Sequence, residues 1–488
     1  MAILNNKSHV LLFICLLLFN TIGCSKSQKS DNTNTKPTDP VIPPTTVKTD
    51  VAFWLTKSDQ SVLFQKQNVA LLFNNSVNSN PTITVDTTQT YQSIDGFGFA
   101  LTGGSAYLIN RLPTTTCDAL LKELFTADSS NINISYLRIS IGSSDLNASV
   151  FSYDDIPAGQ TDSPLQYFNL TPDSYDLIPL LKKIVALNPN IKILACPWSA
   201  PVWMKTVNNT VGGSLQPKYY SVYADYFVRY INAMKAQGIR IDAITPQNEP
   251  LNPYNNPSMS MSATEQTNFI KNNLGPAFKA ANIDTKIIIY DHNCDVPNYP
   301  LTVLSDPEAK KYIDGSAFHL YSGDISALTL VHENYPEKNV YFTEQWVGGP
   351  SNFGNDLNWH VKTLIIGATR NWSKNVIEWN LASDPSYQPH TPGGCNTCLG
   401  ALTIGANITR NVSYYIIAHA AKFVKTGSVR IASNIAGSLQ NVAFKTPEGK
   451  KVLIVLNDSN SSQTFNIQFN GKIVTSTLLG GSVGTYIW

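Results

Sequence analysis

The chain has 488 residues, and 35 Lys and Arg stand against 34 Asp and Glu, so the formal net charge is +1. This near balance excludes nucleic acid or another polyanion as the main electrostatic partner. Hydrophobic residues make up 43% of the chain and charged residues only 14%, a composition that excludes wholesale disorder and allows one large domain with a smaller one.

The first 24 residues have the pattern of a secretory signal peptide. Lys7 and His9 precede an apolar run over residues 10–19, which Thr21-Ile22-Gly23-Cys24 follows. The run is too short to span a bilayer. Gly23-Cys24 is similar to the end of a bacterial lipobox, with Cys24 as the lipidated first residue of the mature chain. We therefore expect an exported lipoprotein of the outer membrane or cell surface, with a periplasmic or secreted protein as the alternative.

Residues 25–47 are rich in Ser, Thr, Asn, Lys and Pro and hold almost no large apolar side chains. This composition is typical of a flexible tether. Within residues 48–92, the runs 51–55 and 82–85 are rich in β-branched and aromatic residues, which predicts strands.

From residue 93 onward, eight short β-rich runs alternate with helical stretches. The runs cover residues 93–101, 135–143, 191–200, 242–250, 286–293, 315–322, 339–346 and 375–382. Apolar spacing of three and four residues predicts helices at 114–126, 173–187, 217–237, 262–281, 306–313, 324–335 and 355–371. Eight strand–helix alternations predict an α/β fold, a (β/α)8 TIM barrel over residues 93–422.

Helical periodicity ends at about residue 422. Short β-rich runs follow at 439–445, 451–457, 463–469 and 484–488, and turn signals such as Asn470-Gly471 separate them. This pattern of short runs and turns predicts a small antiparallel β domain over residues 423–488. The strands within residues 48–92 exceed what the barrel needs, so we expect them to join this domain.

Two glutamates stand at the ends of the fourth and seventh predicted barrel strands, where barrel enzymes place catalytic groups. Glu249 lies in Gln247-Asn248-Glu249-Pro250 and Glu344 in Thr343-Glu344-Gln345-Trp346. Paired carboxylates in different environments carry out glycoside hydrolysis. One glutamate alone would more often be an ion-pair partner at the rim, but two of them beside aromatic residues favour catalysis.

Aromatic residues follow several of the same strands: Trp198, Trp203, Tyr321, Trp346 and Trp379. Aromatic rings pack well against the C–H faces of sugars, although any one of these residues could equally serve the core. Arg138 lies inside an apolar strand and needs a buried partner. It either orients a catalytic carboxylate or closes an ion pair with Asp145 or Asp95. His319 ends the sixth strand, and we expect it to contact and orient the residues that bind the substrate.

Seven cysteines are present, and the five beyond residue 24 are Cys117, Cys196, Cys294, Cys395 and Cys398. An odd number excludes a complete disulfide framework. Cys395 and Cys398 could form a local bridge, half of a metal site or two free thiols, and the bridge is favoured because no second cysteine pair exists. Asp291, His292 and Asp295 lie too close together on one loop to be a favoured metal site.

The ordered motifs resemble glycoside hydrolase family 30, the family of glucosylceramidases and related β-glycanases. The motifs are Asp95-Gly96-Phe97-Gly98, Leu137-Arg138-Ile139-Ser140 with Ser144-Asp145, residues 197–205 (PWSAPVWMK), Thr245-Pro246-Gln247-Asn248-Glu249-Pro250, His319-Leu320-Tyr321, Phe342-Thr343-Glu344, Trp379-Asn380-Leu381-Ala382 and residues 414–430, which enter the β domain. The resemblance covers nearly everything after the tether. It implies an accessory β-sandwich made from both chain ends.

The resemblance also implies a role for each matching residue. Glu249 corresponds to the acid/base, which starts protonated, and Glu344 to the ionised nucleophile of a retaining double displacement. Asn248 corresponds to the residue that contacts the sugar 2-hydroxyl. Residues matching binding or orienting positions are Arg138, Trp198, Tyr321 and Trp379. The reaction would need no cofactor and no metal ion.

Two departures from the family pattern concern specificity. Glucosylceramidases carry an acidic residue after the Thr that follows the first strand, but here Gly103 follows Thr102. The loop after strand eight also differs, with Asn396 between the two cysteines. Both differences suggest a site open beyond one terminal sugar, which favours β-glucan, and β-1,6-glucan in particular, as the substrate.

The alternatives are a glucosylceramidase or exo-β-glucosidase and, more remotely, a non-catalytic carbohydrate-binding surface protein. We expect a monomer that binds a β-linked carbohydrate and contacts the membrane only through a lipid anchor.

Overall fold

The computed structural model describes residues 47–488. The predicted signal peptide, the lipobox with Cys24 and nearly all of the predicted tether lie outside the described residues. Within them, three strands precede the barrel: β1 (Ala52–Thr56), β2 (Gln65–Gln67) and β3 (Thr82–Ser93). No helix in this part of the chain is both long and apolar enough to cross a membrane.

Eight parallel strands form a closed barrel, as the alternating pattern predicts. They are β4 (Gly96–Ala100), β5 (Tyr136–Ser140), β6 (Lys192–Cys196), β7 (Ala243–Ile244), β8 (Lys286–Asn293), β9 (Ile313–His319), β10 (Asn339–Glu344) and β11 (Ser373–Asn380). A layer of buried side chains that includes Tyr136, Ile288 and Tyr341 fills part of the interior. The barrel is therefore a packed core, and its carboxyl ends are left to form the site.

Eleven α-helical segments lie in the described residues. They are α1 (Gly103–Asn110), α2 (Thr114–Phe125), α3 (Leu177–Leu187), α4 (Tyr220–Ala236), α5 (Ala263–Phe269), α6 (Gly275–Ala280), α7 (Asn298–Ser305), α8 (Pro307–Lys310), α9 (Ala327–Asn334), α10 (Phe353–His360) and α11 (Val412–Ala421). Two π-helical turns, Ile270–Leu274 and Val361–Ala368, continue α5 and α10. Short 3₁₀ turns lie at Thr171–Asp173, Val202–Met204 and Pro217–Tyr219.

The accessory domain takes strands from both ends of the described chain. Its carboxyl-terminal strands are β12 (Val429–Ser433), β13 (Leu439–Lys445), β14 (Lys451–Asn457), β15 (Gln463–Phe469), β16 (Lys472–Leu478) and β17 (Val483–Ile487). The strand order is β2-β1-β17-β14-β13-β12-β3-β15-β16. β3 pairs with β15 through Thr82–Thr84 and with β12 through its later residues. A separate apolar core that includes Phe53, Val455, Phe465 and Tyr486 holds the domain together.

Five very short strands lie in the segments that follow β10 and β11: Val347–Gly348, Ala382–Ser383, Cys398–Leu399, Leu402–Ile404 and Ile408–Arg410. Val347–Gly348 pairs with Cys398–Leu399 in antiparallel fashion. This pairing ties the loop after β10 to the loop after β11, directly above the barrel mouth.

Candidate active site

A cavity of about 490 Å³ opens at the carboxyl ends of the barrel strands. Six of the predicted site residues line it: Glu249, Glu344, Trp198, Tyr321, Trp346 and Trp379. Lining residues that sequence reasoning did not assign to the site are Asp145, Leu251, Asn252, Asn255, His292, Asn293, Cys395 and Cys398. The wall is therefore both aromatic and rich in hydrogen-bonding groups, a combination suited to a sugar.

Glu249 and Glu344 approach each other across this cavity. Glu344 is the last residue of β10, and Glu249 follows β7 with a φ of +43°. That backbone conformation is uncommon outside glycine and is often found at functional sites. One carboxylate oxygen of each glutamate and a ring nitrogen of His319 lie within 4.8 Å of one another. Carboxyl groups about 5–5.5 Å apart are typical of retaining glycosidases, whereas inverting enzymes keep them about 6.5–9.5 Å apart.

Arg138 lies fully buried beneath the two glutamates. Its guanidinium group donates to Glu344 Oε2 at 2.6 Å, to Asp291 Oδ2 at 2.9 Å and to Asn248 Oδ1 at 2.6 Å. Arg138 thus orients a carboxylate of the predicted pair. The alternative prediction, an ion pair with Asp145 or Asp95, is wrong, because Arg138 forms its ion pairs with Asp291 and Glu344.

Asp291 is the buried partner that sequence reasoning missed. It accepts hydrogen bonds from Arg138, from the Thr245 hydroxyl at 2.7 Å and from the Thr343 hydroxyl at 2.6 Å. Burial works to raise the pKa of Asp291, but Arg138 and His319 hold that pKa well below its usual range. Its neighbour His292 instead lines the cavity, so the structure does not gather Asp291 and His292 with Asp295 as a metal site.

His319 connects the glutamates to Asp291. Its Nδ1 lies 3.2 Å from Glu249 Oε1 and 3.7 Å from Glu344 Oε1, and its Nε2 lies 3.1 Å from Asp291 Oδ1. Burial works to lower the pKa of His319, but Glu344, Asp291 and Glu249 raise it to about 9. The ring is therefore a cation at neutral pH, and it donates to Glu249 through Nδ1 and to Asp291 through Nε2.

The charge on His319 acts on the pKa values of both glutamates. Burial works to raise the pKa of Glu249, but the hydrogen bond and charge of His319 lower it to about 2. Burial raises the pKa of Glu344, with Glu249 and Asp291 adding to the effect. His319 thus favours the ionised form of Glu249 in the free site. That Glu249 starts the reaction protonated stays a prediction.

We expect kcat/KM to fall as the pH rises through about 9, because His319 then loses the proton it shares with Glu249. The acid limb should lie above pH 4.5, because Glu344 must be ionised to react and its pKa is raised from that value. A pH profile of kcat/KM measures both limbs. His319→Gln should lower kcat/KM and remove the alkaline decline, and an unchanged decline in that variant would contradict the assignment.

Neutral groups complete the hydrogen bonds of the two glutamates. The Tyr321 hydroxyl donates to Glu344 Oε1 at 2.9 Å, and the Asn252 side chain donates to Glu249 Oε2 at 2.7 Å. Asn248 accepts from Arg138, which fixes its amide so that its NH2 group stays available as a donor. Each carboxylate is thereby held in one orientation.

The aromatic wall is built around Trp198 and Trp379. Their ring centroids lie 5.4 Å apart, and the Arg138 guanidinium carbon lies 4.8 Å from the Trp198 centroid. Both indoles are almost fully buried, whereas Tyr321 is 39% exposed. The tryptophans form the lower wall of the cavity and Tyr321 forms part of its mouth.

The structure does not support the prediction that Gly103 leaves open space in the site. Gly103 begins α1 and does not line the cavity, and a Cβ atom placed on it would lie 1.9 Å from Asn147 Nδ2. The idea that a glycine here enlarges the site is therefore wrong, because Asn147 already fills the volume. Asn396 is exposed and also lies outside the lining. Its neighbours Cys395 and Cys398 form a disulfide that does line the cavity.

Two family models match the chain, and together they span the barrel and the accessory domain. The glycosyl hydrolase family 30 TIM-barrel domain matches residues 94–424, and the glycosyl hydrolase family 30 beta sandwich domain matches residues 427–486. The fold and the site define a glycoside hydrolase.

Relatives with assigned names agree with this class. An endo-1,6-β-D-glucanase of Neurospora crassa is 36% identical over 433 residues, covering 84% of this chain and 88% of the relative. A putative glucosylceramidase of Caenorhabditis elegans, glucosylceramidase 2, is 32% identical over 397 residues, covering 77% and 76%. The solved endo-β1,6-glucanase BT3312 superposes with a TM-score of 0.85 at 35% identity, covering 90% of this chain and 99% of that structure. The chain belongs to glycosyl hydrolase family 30.

Proposed function

We propose that this protein is a retaining endo-β-1,6-glucanase that uses Glu344 as nucleophile and Glu249 as acid/base. The observation that supports this substrate assignment is the similarity to an endo-1,6-β-D-glucanase, which is 36% identical over more than four-fifths of the chain. The short distance between the two carboxylates supports retention. The open, aromatic cavity is consistent with a polymer that extends beyond one sugar.

In the first step, Glu344 attacks the anomeric carbon and the glycosidic C–O bond breaks, forming a glycosyl ester. Arg138 and Tyr321 hold the attacking carboxylate in place through their hydrogen bonds. Glu249 delivers a proton to the leaving oxygen, and the contact between His319 Nδ1 and Glu249 Oε1 keeps that carboxyl group oriented.

In the second step, water attacks the same carbon and gives its proton to Glu249. The ester bond to Glu344 then breaks and the sugar leaves with its original configuration. Glu249 therefore acts first as acid and then as base, and its hydrogen bond from Asn252 keeps it oriented in both steps.

A product profile tests the substrate assignment. The purified protein would be incubated with β-1,3-, β-1,4- and β-1,6-glucans, xylan and glucosylceramide, and the products would be separated by size. Rapid shortening of β-1,6-glucan to mixed oligosaccharides is expected. Release of glucose alone would contradict endo action, and faster cleavage of another polymer would contradict the linkage.

The second candidate is a glucosylceramidase, which is favoured by the 32% identity to a putative glucosylceramidase of Caenorhabditis elegans. Ceramide release from glucosylceramide at a rate above that of β-1,6-glucan cleavage would establish it. We favour the glucanase because the glucanase relative is more similar and covers more of the chain.

We also propose that the protein is exported and held by a lipid on Cys24, an assignment that rests on the Gly23-Cys24 pair and the polar segment after it. Cys24→Ser should move the protein from the membrane fraction to the soluble fraction with its specific activity unchanged. Fractionation followed by immunoblotting measures this, with Cys15→Ser as the matched control inside the leader. Unchanged membrane association in Cys24→Ser would contradict the anchor.

A further inference from the structure

Gln247 is a buried amide two residues before Glu249, and the two-step mechanism does not use it. It is 1% exposed and does not line the cavity, so it can act on a bound sugar only through other residues. Its Nε2 atom donates to the Trp198 carbonyl at 2.7 Å and to the Asn248 carbonyl at 2.9 Å. One side chain thus joins the segment after β6, which carries part of the aromatic wall, to the segment after β7, which carries Glu249.

The backbone alone does not provide this connection. The Thr245 N–H continues the bonding between β6 and β7 by donating to the Ala195 carbonyl at 3.1 Å. Pro246 then interrupts the ladder, because proline has no N–H to donate. Buried carbonyl groups beyond that point still need donors. The Gln247 side chain supplies one to the Trp198 carbonyl.

The peptide unit between Asn248 and Glu249 is held at both of its polar atoms. Its carbonyl oxygen accepts from Gln247 Nε2, and its N–H, which belongs to Glu249, donates to the Asp291 carbonyl at 3.0 Å. A peptide unit is planar, so a bond on each side fixes its rotation. That rotation sets the φ of Glu249, which is +43°. Such a conformation persists only where the surrounding contacts over-determine it.

An amide nitrogen fits between the two carbonyls, and an amide oxygen does not. The NH2 group has two hydrogens, one for each carbonyl, whereas the reversed amide would place oxygen against oxygen. Gln247 Oε1 is buried and has no hydrogen-bond partner among residues 47–488. An unpartnered buried acceptor costs free energy. The two bonds that Nε2 donates therefore determine the orientation of this side chain.

We propose that Gln247 is a positioning residue for the acid/base, and that its amide holds the peptide unit before Glu249 so that the carboxyl group reaches the leaving oxygen. The inference rests on the proposed role of Glu249 and adds the residue that holds its backbone. Asn252 and His319 contact the carboxyl group itself, whereas Gln247 acts on the main chain from which that side chain projects. A displacement of about 1 Å at a reacting group can cost about 100-fold in rate.

Gln247→Met removes both donors but keeps the length of the side chain. The substrates are two aryl β-glycosides of one sugar that the wild-type enzyme cleaves, with dinitrophenyl and unsubstituted phenyl leaving groups. We expect kcat/KM to fall by about 10- to 100-fold for the phenyl glycoside but by less than about 3-fold for the dinitrophenyl glycoside, because only the former needs a proton from Glu249. Both are measured on one preparation, so any unfolded fraction cancels in the ratio.

The dinitrophenyl glycoside gives a second readout. Its slow step becomes hydrolysis of the glycosyl ester, in which Glu249 acts as base, so kcat and KM should fall together while kcat/KM is nearly kept. Azide needs no base and should restore kcat. A loss that came only from a destabilised barrel would change neither the substrate ratio nor the response to azide.

Gln92→Met is the matched control. Gln92 also donates from Nε2 to two backbone carbonyls, those of Thr369 at 2.6 Å and Ser373 at 3.0 Å, but it lies at the amino end of β11 and does not line the cavity. Losing two similar bonds there should lower the melting temperature and keep the wild-type ratio between the two substrates.

Gln247→Asn is a second variant, and it carries the test if Gln247→Met does not fold. It keeps the NH2 group on a side chain that is shorter by one methylene, so the two carbonyls can no longer both be reached. We expect the same change in the substrate ratio with a smaller size.

Equal losses on the two substrates in the Gln247 variants, or no loss on either, would overturn the positioning role. Glu249→Gln is measured beside them. If Glu249→Gln separates the substrates and the Gln247 variants do not, only the positioning role is wrong. If Glu249→Gln also loses both equally, the proposed acid/base is wrong as well. Failure of the wild-type enzyme on β-1,6-glucan would contradict the proposed polymer but would leave this comparison intact.

Discussion

Glu344→Gly is expected to lower kcat/KM by at least about 10,000-fold, because the glycosyl ester can no longer form. The fold should survive, since Arg138 keeps its bonds to Asp291 and Asn248. Removing the side chain leaves room beside the anomeric carbon. Azide can then attack from the face that Glu344 occupied, and the product should be a glycosyl azide of inverted configuration.

The measurement is the initial rate on an aryl β-glycoside with and without azide, with the product configuration read by NMR. Thermal unfolding shows whether the variant is folded. Glu337→Gly is the matched control, because Glu337 is an exposed glutamate in the segment before β10 and does not line the cavity. Activity close to wild type in Glu344→Gly would remove Glu344 as the nucleophile.

Glu249→Gln is expected to separate substrates by their leaving groups. Cleavage of a glucan or alkyl glycoside should fall by about 1,000- to 10,000-fold, because the leaving oxygen needs a proton. An activated aryl glycoside, such as a dinitrophenyl glycoside, needs little help in that step and should lose much less. Its slow step becomes hydrolysis of the ester, for which the glutamine cannot act as base.

Azide again gives a diagnostic result, because it needs no base. It should accelerate turnover of the activated substrate by Glu249→Gln and yield a glycosyl azide of retained configuration. The configurations of the two azide products thus assign the two glutamates independently. Equal losses on both substrate types would contradict an acid/base role for Glu249.

The barrel could be predicted from the sequence because its strands are apolar runs that alternate with helical patterns. Each of the eight runs overlaps one strand of the closed barrel, although β9 and β11 begin two residues before their runs. Strand ends were harder to place: the run 242–250 contains only the two-residue β7. Soon after this strand the backbone adopts a positive φ at Glu249. The pattern of hydrophobic residues does not indicate such a turn.

Two helices had no amphipathic signal to predict them. All ten residues of α11 are buried, so its sequence lacks the polar face that marks a surface helix. α1 is short and begins with Gly103-Gly104, residues that disfavour a helix. Packing against the barrel stabilises both helices, and this is information from outside the local sequence.

The glutamates were predictable because position in a barrel strand nearly determines where a side chain points. Asp291 and Asp145 were not assigned to the site, because a lone aspartate gives no sign of which distant residue it faces. Arg138 shows how far sequence reasoning reaches. A buried arginine needs a partner, but its ion pair with Asp291 joins residues 153 positions apart in the chain, which the local sequence does not reveal. Gly103 shows the same limit, since only the structure reveals that Asn147 fills the space beside it.

The pairing of β1 with β17 has a consequence for how the molecule is made. Ala52–Thr56 aligns with Val483–Ile487, so the strand synthesised early finds its partner only when the last residues of that pair have emerged. Until then the whole barrel sequence separates them, and β1 has only its neighbour β2 as a partner. The accessory domain can therefore be completed only after the barrel sequence has been made, and its pairing of β3 with β12 joins the segments that enter and leave the barrel. A chain still lacking its final strands would carry an open β edge, the kind of surface that chaperones and proteases recognise.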